Sequence, residues 1–301
     1  IDFYTGGSEH ATGHLIYSRF YTKFLRDIGL IKNDEPCTRL FNQGMIHGSD
    51  GFVMSKSRGN VVDPLDIIEK YGVDALRLFL MSMASPDRDT SWDDKGIESA
   101  YRFIEDIWNF FSNLKPSKKS SARLESKLNQ SIKEVTENLE NLKYNIAIIK
   151  IRQLFEYMEK NADKEIDMST ANSFIKLISP FTPHISEELW NSLGNKELLS
   201  LSEWPKYDES KINPEFEKED HLQEELKANI RNIVRIINKS PKGIFIYCIP
   251  KELSNYSAIT GNISQEFNCP AKAFAVNDPK KHDPQGKSSK AKPGKPAVYI
   301  E

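Results

Sequence analysis

Val53-Met54-Ser55-Lys56-Ser57-Arg58-Gly59-Asn60 is a short polar loop lying between an apolar patch, Gly44-Met45-Ile46, and a sharply started helix at Asp63-Pro64. Two hydroxyls flank a lysine, an arginine follows, and Gly59 and Asn60 close the run. That composition suits a polyphosphate clamp, because small residues let the backbone approach the oxygens and a lysine supplies a mobile point charge. It also suits a solvated Ser/Lys/Gly connection between two elements, which is the commoner use of such residues. After the loop, Asp63 is a good N-cap, Pro64 fits the first helical position and Gly72 is a stop.

Upstream, Ile1-Asp2-Phe3-Tyr4 reads as the middle of a strand, and a chain that opens there without methionine reads as a fragment. Gly6-Gly7-Ser8-Glu9-His10 follows, and Leu15, Ile16, Phe20, Phe24 and Leu25 then recur at helical spacing over Ala11 to Leu25. A strand, a glycine turn and a helix place ligands at the carboxyl end of a strand in an open α/β sheet, where a carboxylate can accept from ribose hydroxyls. A glycine turn with a capping glutamate explains the same residues without a ligand. Phe41-Asn42-Gln43-Gly44-Met45-Ile46-His47-Gly48 reads as the next strand and its exit, and His47 is either a ligand contact or a strand-end structural residue. His14 and Arg19 read as helix-surface or packing residues.

Met54-Ser55-Lys56-Ser57 followed by Gly59-Asn60 resembles the KMSKS signature of class I aminoacyl-tRNA synthetases. The run Gly-Gly-x-Glu-His-Ala-x-x-His-Leu-x-Tyr-x-Arg-Phe from Gly6 resembles leucyl-tRNA synthetases of the bacterial type. The resemblance implies that Lys56, with Ser55 and Ser57, attends the ATP triphosphate while an amino acid carboxylate attacks the α-phosphate. It further implies that Gly7 and Glu9 hold the ribose, that His10 lines the leucine side-chain pocket, and that the main chain at Gly44 and Met45 holds the adenine, with Met54 in the ATP-binding set. The signature's first lysine is Val53 here, which removes one phosphate or tRNA contact, for which Arg58 is a partial compensation. His10-Ala11-Thr12-Gly13-His14 is one residue too long for the family's other signature, His-x-Gly-His, and nothing resembles the editing insertion. The resemblance therefore covers the whole chain but only the back part of the family's length.

From Gly96 to about Gly194 the period is helical throughout. Ile97, Tyr101, Ile104, Trp108 and Phe111 form one stripe, Leu124, Leu128, Ile132, Val135, Leu139 and Leu142 a second, Ile146, Ile149, Leu154 and Tyr157 a third, and Phe174, Leu177 and Ile178 a fourth. Lys115 to Arg123 reads as a mobile basic surface loop, and Thr182-Pro183 restarts a helix after Pro180. Pro-Phe-x-Pro-His-x-x-Glu-Glu-Leu-Trp, from Pro180 to Trp190, is similar to the anticodon-binding bundle of the leucine, isoleucine, valine and methionine enzymes. Beyond Trp204-Pro205 come a long helix (Leu222, Leu226, Ile230, Ile233, Ile237) and three strands, Ile244–Ile249, Ala273–Val276 and Ala297–Ile300. The last two strands are separated by a lysine-rich loop carrying Lys287, Lys290, Lys292 and Lys295. Such a loop is usually a solvated face; on a tRNA-binding protein it tracks phosphates, since each neutralised phosphate releases counterions whatever the base.

The expected fold class is therefore α/β, the C-terminal part of a class I Rossmann-like catalytic domain, followed by an α-helical anticodon-binding bundle and a small α/β C-terminal domain. The expected boundaries are 1–62, 63–95 (stem-contact region), 96–208 and 209–301. With 41 basic and 43 acidic residues the net charge of −2 announces no global basic field. Cys37, Cys248 and Cys269 form no C-x-x-C pair, which argues against zinc, and no apolar run reaches membrane-spanning length, so the chain reads as soluble and cytoplasmic. The implied activity is leucine–tRNA ligation, with ATP and Mg2+ as substrate, leucine and tRNA-Leu as partners, no bound metal, and the missing N-terminal half as a candidate separate chain. On that reading the isolated chain is inactive. The alternatives are a valyl or isoleucyl enzyme, and a non-catalytic tRNA-binding subunit that works with a partner chain.

Overall fold

In a computed structural model, which describes residues 1–160, 166–238 and 240–301, the chain forms two compact units, Ile1–Ile212 and Asn213–Glu301. The first unit opens with β1 (Phe3–Gly7), a 3₁₀ turn over Ser8–Thr12 and helix α1 (His14–Asp27), so the α-helix starts three residues later than its apolar spacing suggests. Strand β2 (Arg39–Gln43) pairs with β1 in parallel, Phe3 beside Arg39 and Gly7 beside Gln43, which sets the carboxyl ends of both strands side by side.

The expected single strand over Phe41–Gly48 is in fact two. After Gln43 the backbone turns away: Gly44 N donates to Pro86 O at 2.8 Å, and Met45 N donates to Asp89 Oδ1 at 2.8 Å. Strand β3 (Ile46–His47) then pairs in parallel with β4 (Thr90–Ser91) in a separate sheet. A Cβ on Gly44 would lie 2.2 Å from the Arg88 carbonyl, so only glycine permits this crossing.

Helix α2 (Pro64–Tyr71) starts as its sequence indicates, with the Asp63 side chain accepting from Leu65 N, and ends at Gly72, whose φ of +83° suits glycine. Helix α3 (Val73–Met83) buries Ala75, Leu76, Leu78 and Phe79 in the same core as five further helices: α4 (Asp94–Asn113), α5 (Ala122–Glu140), α6 (Tyr144–Lys160), α7 (Met168–Ile178) and α8 (Pro183–Ser192). Trp92 packs edge-on against Phe79, ring centroids 5.0 Å apart, and donates its indole N–H to Asp94, so it is a packing anchor.

Two of the expected stripes are out of phase. The buried face of α4 is Ile97, Ala100, Phe103, Ile107 and Phe111, leaving Trp108 40% exposed; that of α6 is Ala147, Ile148, Ile151, Leu154, Phe155 and Met158, leaving Ile146 and Ile149 outside. Each face includes an alanine or a second aromatic that a search for large aliphatic spacing passes over. The Lys115–Arg123 segment is pinned rather than loose. Ser117 bridges to Asp167, the Ser120 hydroxyl lies 2.8 Å from that of Thr170, and Ser121 caps α5.

Helix α8 carries no cap of its own, since the Thr182 side chain makes no bond to its first amides. The buried Asp74 of α3 supplies one, its Oδ2 accepting from Ile185 N at 2.8 Å, while the Arg77 guanidinium donates to Pro180 O at 2.9 Å. A carboxylate at a helix start satisfies an orphan amide and faces the positive end of the dipole.

The second unit starts with α9 (Pro214–Ile237), capped by Asn213, and has a three-stranded sheet in the order β6 (Ala271–Ala275), β5 (Ile244–Cys248), β7 (Ala297–Ile300). Strand β5 is central, parallel to β6 and antiparallel to β7. The β5–β6 crossover is α10 (Leu253–Phe267), an element absent from the sequence reading because its serines, asparagines and central Gly261 leave little apolar period. Ile237, expected on the apolar stripe of α9, is exposed at the end of that helix.

Two outcomes are expected. Asp74→Ala should destabilise the first unit by about 1–3 kcal/mol, the weight of a buried acceptor removed from a helix start, and Asp74→Asn by less, read from urea midpoints. Cys248 and Cys269 are buried, and burial pushes the Cys248 thiol up to about 11 and that of Cys269 upward as well. An aromatic disulfide reagent at neutral pH should therefore titrate Cys37 alone in the native chain and all three thiols in denaturant.

Candidate functional site

At the carboxyl end of β1 the turn Gly7–His10 closes over a cavity of about 210 Å³ lined by Tyr4, Gly6, Gly7, His10, His14 and Asn42, among others. The Glu9 carboxylate folds back onto Gly7 so closely that a Cβ there would lie 2.1 Å from Oε2, and a larger residue would displace this flexible side chain. His10 stands 3.9 Å from Glu9 through Nε2 and meets His14 edge-on at 6.4 Å, and His14 stacks on Tyr4 at 5.9 Å. The reading of His14 as a surface or packing residue is thus half right: it packs on Tyr4 and also lines the cavity. Nothing in the sequence signals this, because His10 lies in the 3₁₀ turn and His14 begins α1, so no single helical period joins them. Arg19 does not line this cavity; it holds Glu35 through two bonds of 2.7 and 2.8 Å, and its guanidinium, with Lys23, keeps the Glu35 carboxyl down at about 2.

The polar loop is rooted on β3. Met54 N donates to Ile46 O, Gly48 N donates to Phe52 O, and Val53 forms an antiparallel bridge with His47. The Nδ1 of His47 is 2.9 Å from Gly51 O; a carbonyl only accepts, so Nδ1 carries the proton. Its Nε2 is buried, 3.8 Å from Asp89 and without a hydrogen-bond partner among the described residues, and it is the Nδ1 contact and the Val53 bridge by which His47 anchors the loop. Lys56–Arg58 form one 3₁₀ turn closed by Gly59 at φ +68°. The Ser55 and Ser57 hydroxyls are 3.2 Å apart across that turn. Lys56 is exposed between them, and among the described residues its ammonium has neither ion pair nor hydrogen bond. Arg58 lies 4.3 Å over the Phe52 ring.

The structure thus brings together Gly7, Glu9 and His10 at one strand end, and Ser55, Lys56, Ser57 and Arg58 on one turn, with Met54 in the bridge between that turn and β3. Gly44 and Met45 join the two groups along the chain, running from the end of β2 to the start of β3, with both amide protons engaged by Pro86 and Asp89. No residue of the polar loop lines the cavity beside Gly7. Among the described residues no group of three or more His, Cys, Asp or Glu could hold a metal ion, and no helix is long and apolar enough to cross a membrane. In the second unit, Lys290, Lys292 and Lys295 are exposed, Lys287 is half-buried, and Asp283 holds the turn by accepting from the amides of Lys287 and Ser288.

Residues 2–93 match the family of class I tRNA synthetases (I, L, M and V), and residues 122–246 match the anticodon-binding domain of tRNA ligase. A leucine–tRNA ligase of Petrotoga mobilis is 40% identical over 71% of the chain, and one of Fervidobacterium nodosum is 41% identical over 76%. The chain spans less than a third of the length of these relatives, 28% and 30% respectively. Among solved structures, a leucyl-tRNA synthetase of Agrobacterium radiobacter K84, in ternary complex with tRNA and LeuAMS, is similar with a TM-score of 0.64 and 33% identity, over 70% of this chain and 29% of that one. With its front matching the class I tRNA synthetases, the stretch behind it the anticodon-binding domain, and identities of 40–41% over 71–76% of its length, the chain is similar to the leucine–tRNA ligases of class I.

Proposed function

We propose that this chain is part of an enzyme that forms leucyl-adenylate from leucine and ATP and transfers leucine to tRNA-Leu. The observation that carries the reading is the exposed Lys56 ammonium, unpaired among the described residues, between two hydroxyls on a turn fixed at its root. As the amino acid carboxylate attacks the α-phosphate, negative charge grows on the departing pyrophosphate. A cation held where that charge appears lowers the barrier more than it stabilises bound ATP. Lys56 supplies it, and Ser55 and Ser57 donate to phosphate oxygens. Gly7 brings backbone close to the ribose, Glu9 accepts from its hydroxyls, the main chain at Gly44 and Met45 meets the adenine beside Met54, and His10 lines the leucine side-chain pocket. Mg2+ arrives with ATP as part of the substrate. Arg58, Lys287, Lys290, Lys292 and Lys295 face tRNA phosphates. The corresponding division is a nucleotide-binding part over 1–62, a stem-contact region over 63–95, an anticodon-binding bundle over 96–208 and a tRNA-contacting domain over 209–301.

In this division β1 and β2 form only a two-stranded sheet, and α1 leaves Ile16, Tyr17, Phe20, Tyr21 and Phe24 at least half exposed. Two strands with an uncovered apolar helix do not make a self-sufficient nucleotide fold. Residues 1–301 alone should therefore give no leucine-dependent ATP–pyrophosphate exchange above background. The same residues replacing the matching third of the Fervidobacterium nodosum relative should give exchange, and Lys56→Ala should lower it about 10²–10³-fold, as removal of a single transition-state donor does. Exchange supported by valine or isoleucine in place of leucine would favour the valyl or isoleucyl alternative.

Binding of tRNA to the 301-residue chain should weaken steeply with salt. Replacing Lys287, Lys290, Lys292 and Lys295 by Ala should flatten log Kd against log salt by roughly 0.9 for each phosphate no longer neutralised. A slope unchanged by the replacements would remove this loop from the tRNA surface.

A further inference from the structure

The two ends of the polar loop are tied to each other by a single amide. Asn60 Nδ2 donates to Asp50, lying 3.0 Å from both carboxylate oxygens, while Asn60 Oδ1 accepts from Ser55 N at 2.9 Å. The same nitrogen is 3.4 Å from the carbonyls of Phe52 and Val53, and Asp50 Oδ1 also accepts from Phe52 N at 3.1 Å. One side chain thus reaches the entry of the loop at Asp50–Val53 and the residue immediately before Lys56. The Asn60 amide, and after it the Phe52 N–H, hold the Asp50 carboxyl below the usual range, so the acceptor stays ionised at neutral pH. Gly48 makes room for the pair: a Cβ there would stand 2.9 Å from Asp50 Oδ1 and 3.1 Å from Asn60 Nδ2.

We propose that Asp50 and Asn60 form a latch that sets the geometry of the 53–60 loop and thereby positions Lys56. They are positioning residues, and neither touches a reacting atom. The consequence for Lys56 rests on the phosphate reading above; the latch itself rests only on the contacts around Asn60. The chemistry gives the pair a polarity. Asp50 can only accept, whereas Asn60 must donate to Asp50 and accept from Ser55. Asn60→Asp keeps the acceptor for Ser55 N but sets two carboxylates against each other. Exchanging the two residues, Asp50→Asn with Asn60→Asp, again faces an amide donor with a carboxylate and leaves an oxygen for both Phe52 N and Ser55 N.

Limited trypsin digestion of the 301-residue chain reads the latch directly, because Lys56 and Arg58 lie on the loop and the exposed Lys206 lies outside it as an internal control. Asn60→Asp should raise the initial rate of cleavage after Lys56 and Arg58 about tenfold or more relative to Lys206, the weight of a charge-assisted hydrogen bond removed from the closed form. The exchanged pair should return the rate to within about twofold of the native chain, since the donor–acceptor pairing is restored. A loop cut equally fast in all three chains, or an exchanged pair no slower than Asn60→Asp alone, would overturn the latch. General unfolding of Asn60→Asp would raise Lys206 cleavage in step, leave the ratio unchanged, and count the same way. In the exchange-competent chimera, ATP with Mg2+ should slow cleavage at Lys56. Absence of that protection with the ratios intact would remove the phosphate reading and leave the latch standing.

Discussion

The Asp74 carboxylate accepts from the amide of Ile185, 111 residues further along, and Arg77, one turn on in α3, donates to the carbonyl of Pro180. Between them these two side chains hold the break between α7 and α8, the place where Pro180 and Pro183 remove amides from the helical ladder. A proline break leaves donors and acceptors without helical partners, and the half-buried Ile185 amide is the costlier of the two, since the Pro180 carbonyl lies at the surface. Here α3 meets that need from outside, so the helix after the loop region and the last helices of the bundle cannot separate without exposing unsatisfied backbone. The apolar contribution runs the same way, since Ala75, Leu76, Leu78 and Phe79 share one core with α4 through α8.

That docking bears on the loop at one remove. Helix α4 begins at Asp94, directly after β4, and β4 is the strand on which β3 pairs. Trp92 joins the two levels, donating its backbone N–H to His47 O and packing its ring on Phe79 of α3. His47 in turn carries the Val53 bridge and holds Gly51 through Nδ1. A continuous run of short contacts therefore leads from the helical core through Trp92 and His47 to the root of the turn that presents Lys56. The turn needs such a root, because its own residues are exposed and contribute little burial.

How much of this was legible in the residues follows from the range of each interaction. Local signals read well. Asp63-Pro64 and Gly72 bound α2 as their types require, and Ala297–Ile300 is a strand end to end. Interactions between distant segments did not read. The division of Phe41–Gly48 into β2 and β3 depends on Pro86 and Asp89, more than 40 residues away, and nothing local in Gly44-Met45 announces it. The cap of α8 is likewise supplied by α3, although Thr182 sits where a cap belongs. The phase errors in α4 and α6 have another origin. A helix facing neighbours on more than one side buries small residues such as Ala100 and Ala147 and both members of adjacent apolar pairs, so the largest side chains do not mark the centre of the face. Near the candidate site, the glycine turn after β1 and the polar loop were legible as local elements, whereas the place of His14 in the cavity was not, because it follows from the 3₁₀ turn that precedes α1.

Val53 shows how a departure from a signature can leave its geometry intact. What the loop takes from position 53 is backbone: the bridge to His47, and a carbonyl within 3.4 Å of Asn60 Nδ2. Neither contact uses a side chain, and a β-branched residue suits the extended conformation of a bridge. The side chain itself is 37% exposed, beyond the contacts that shape the turn. Valine here therefore brings no charge to the rim, while the contacts that position 53 makes to the loop are backbone ones open to any extended residue. Lys56 sits within the 3₁₀ turn closed by Gly59, between hydroxyls 3.2 Å apart, so its backbone direction is fixed while its ammonium stays free. Of the two positions where the signature carries lysine, the chain keeps the one whose placement the turn determines.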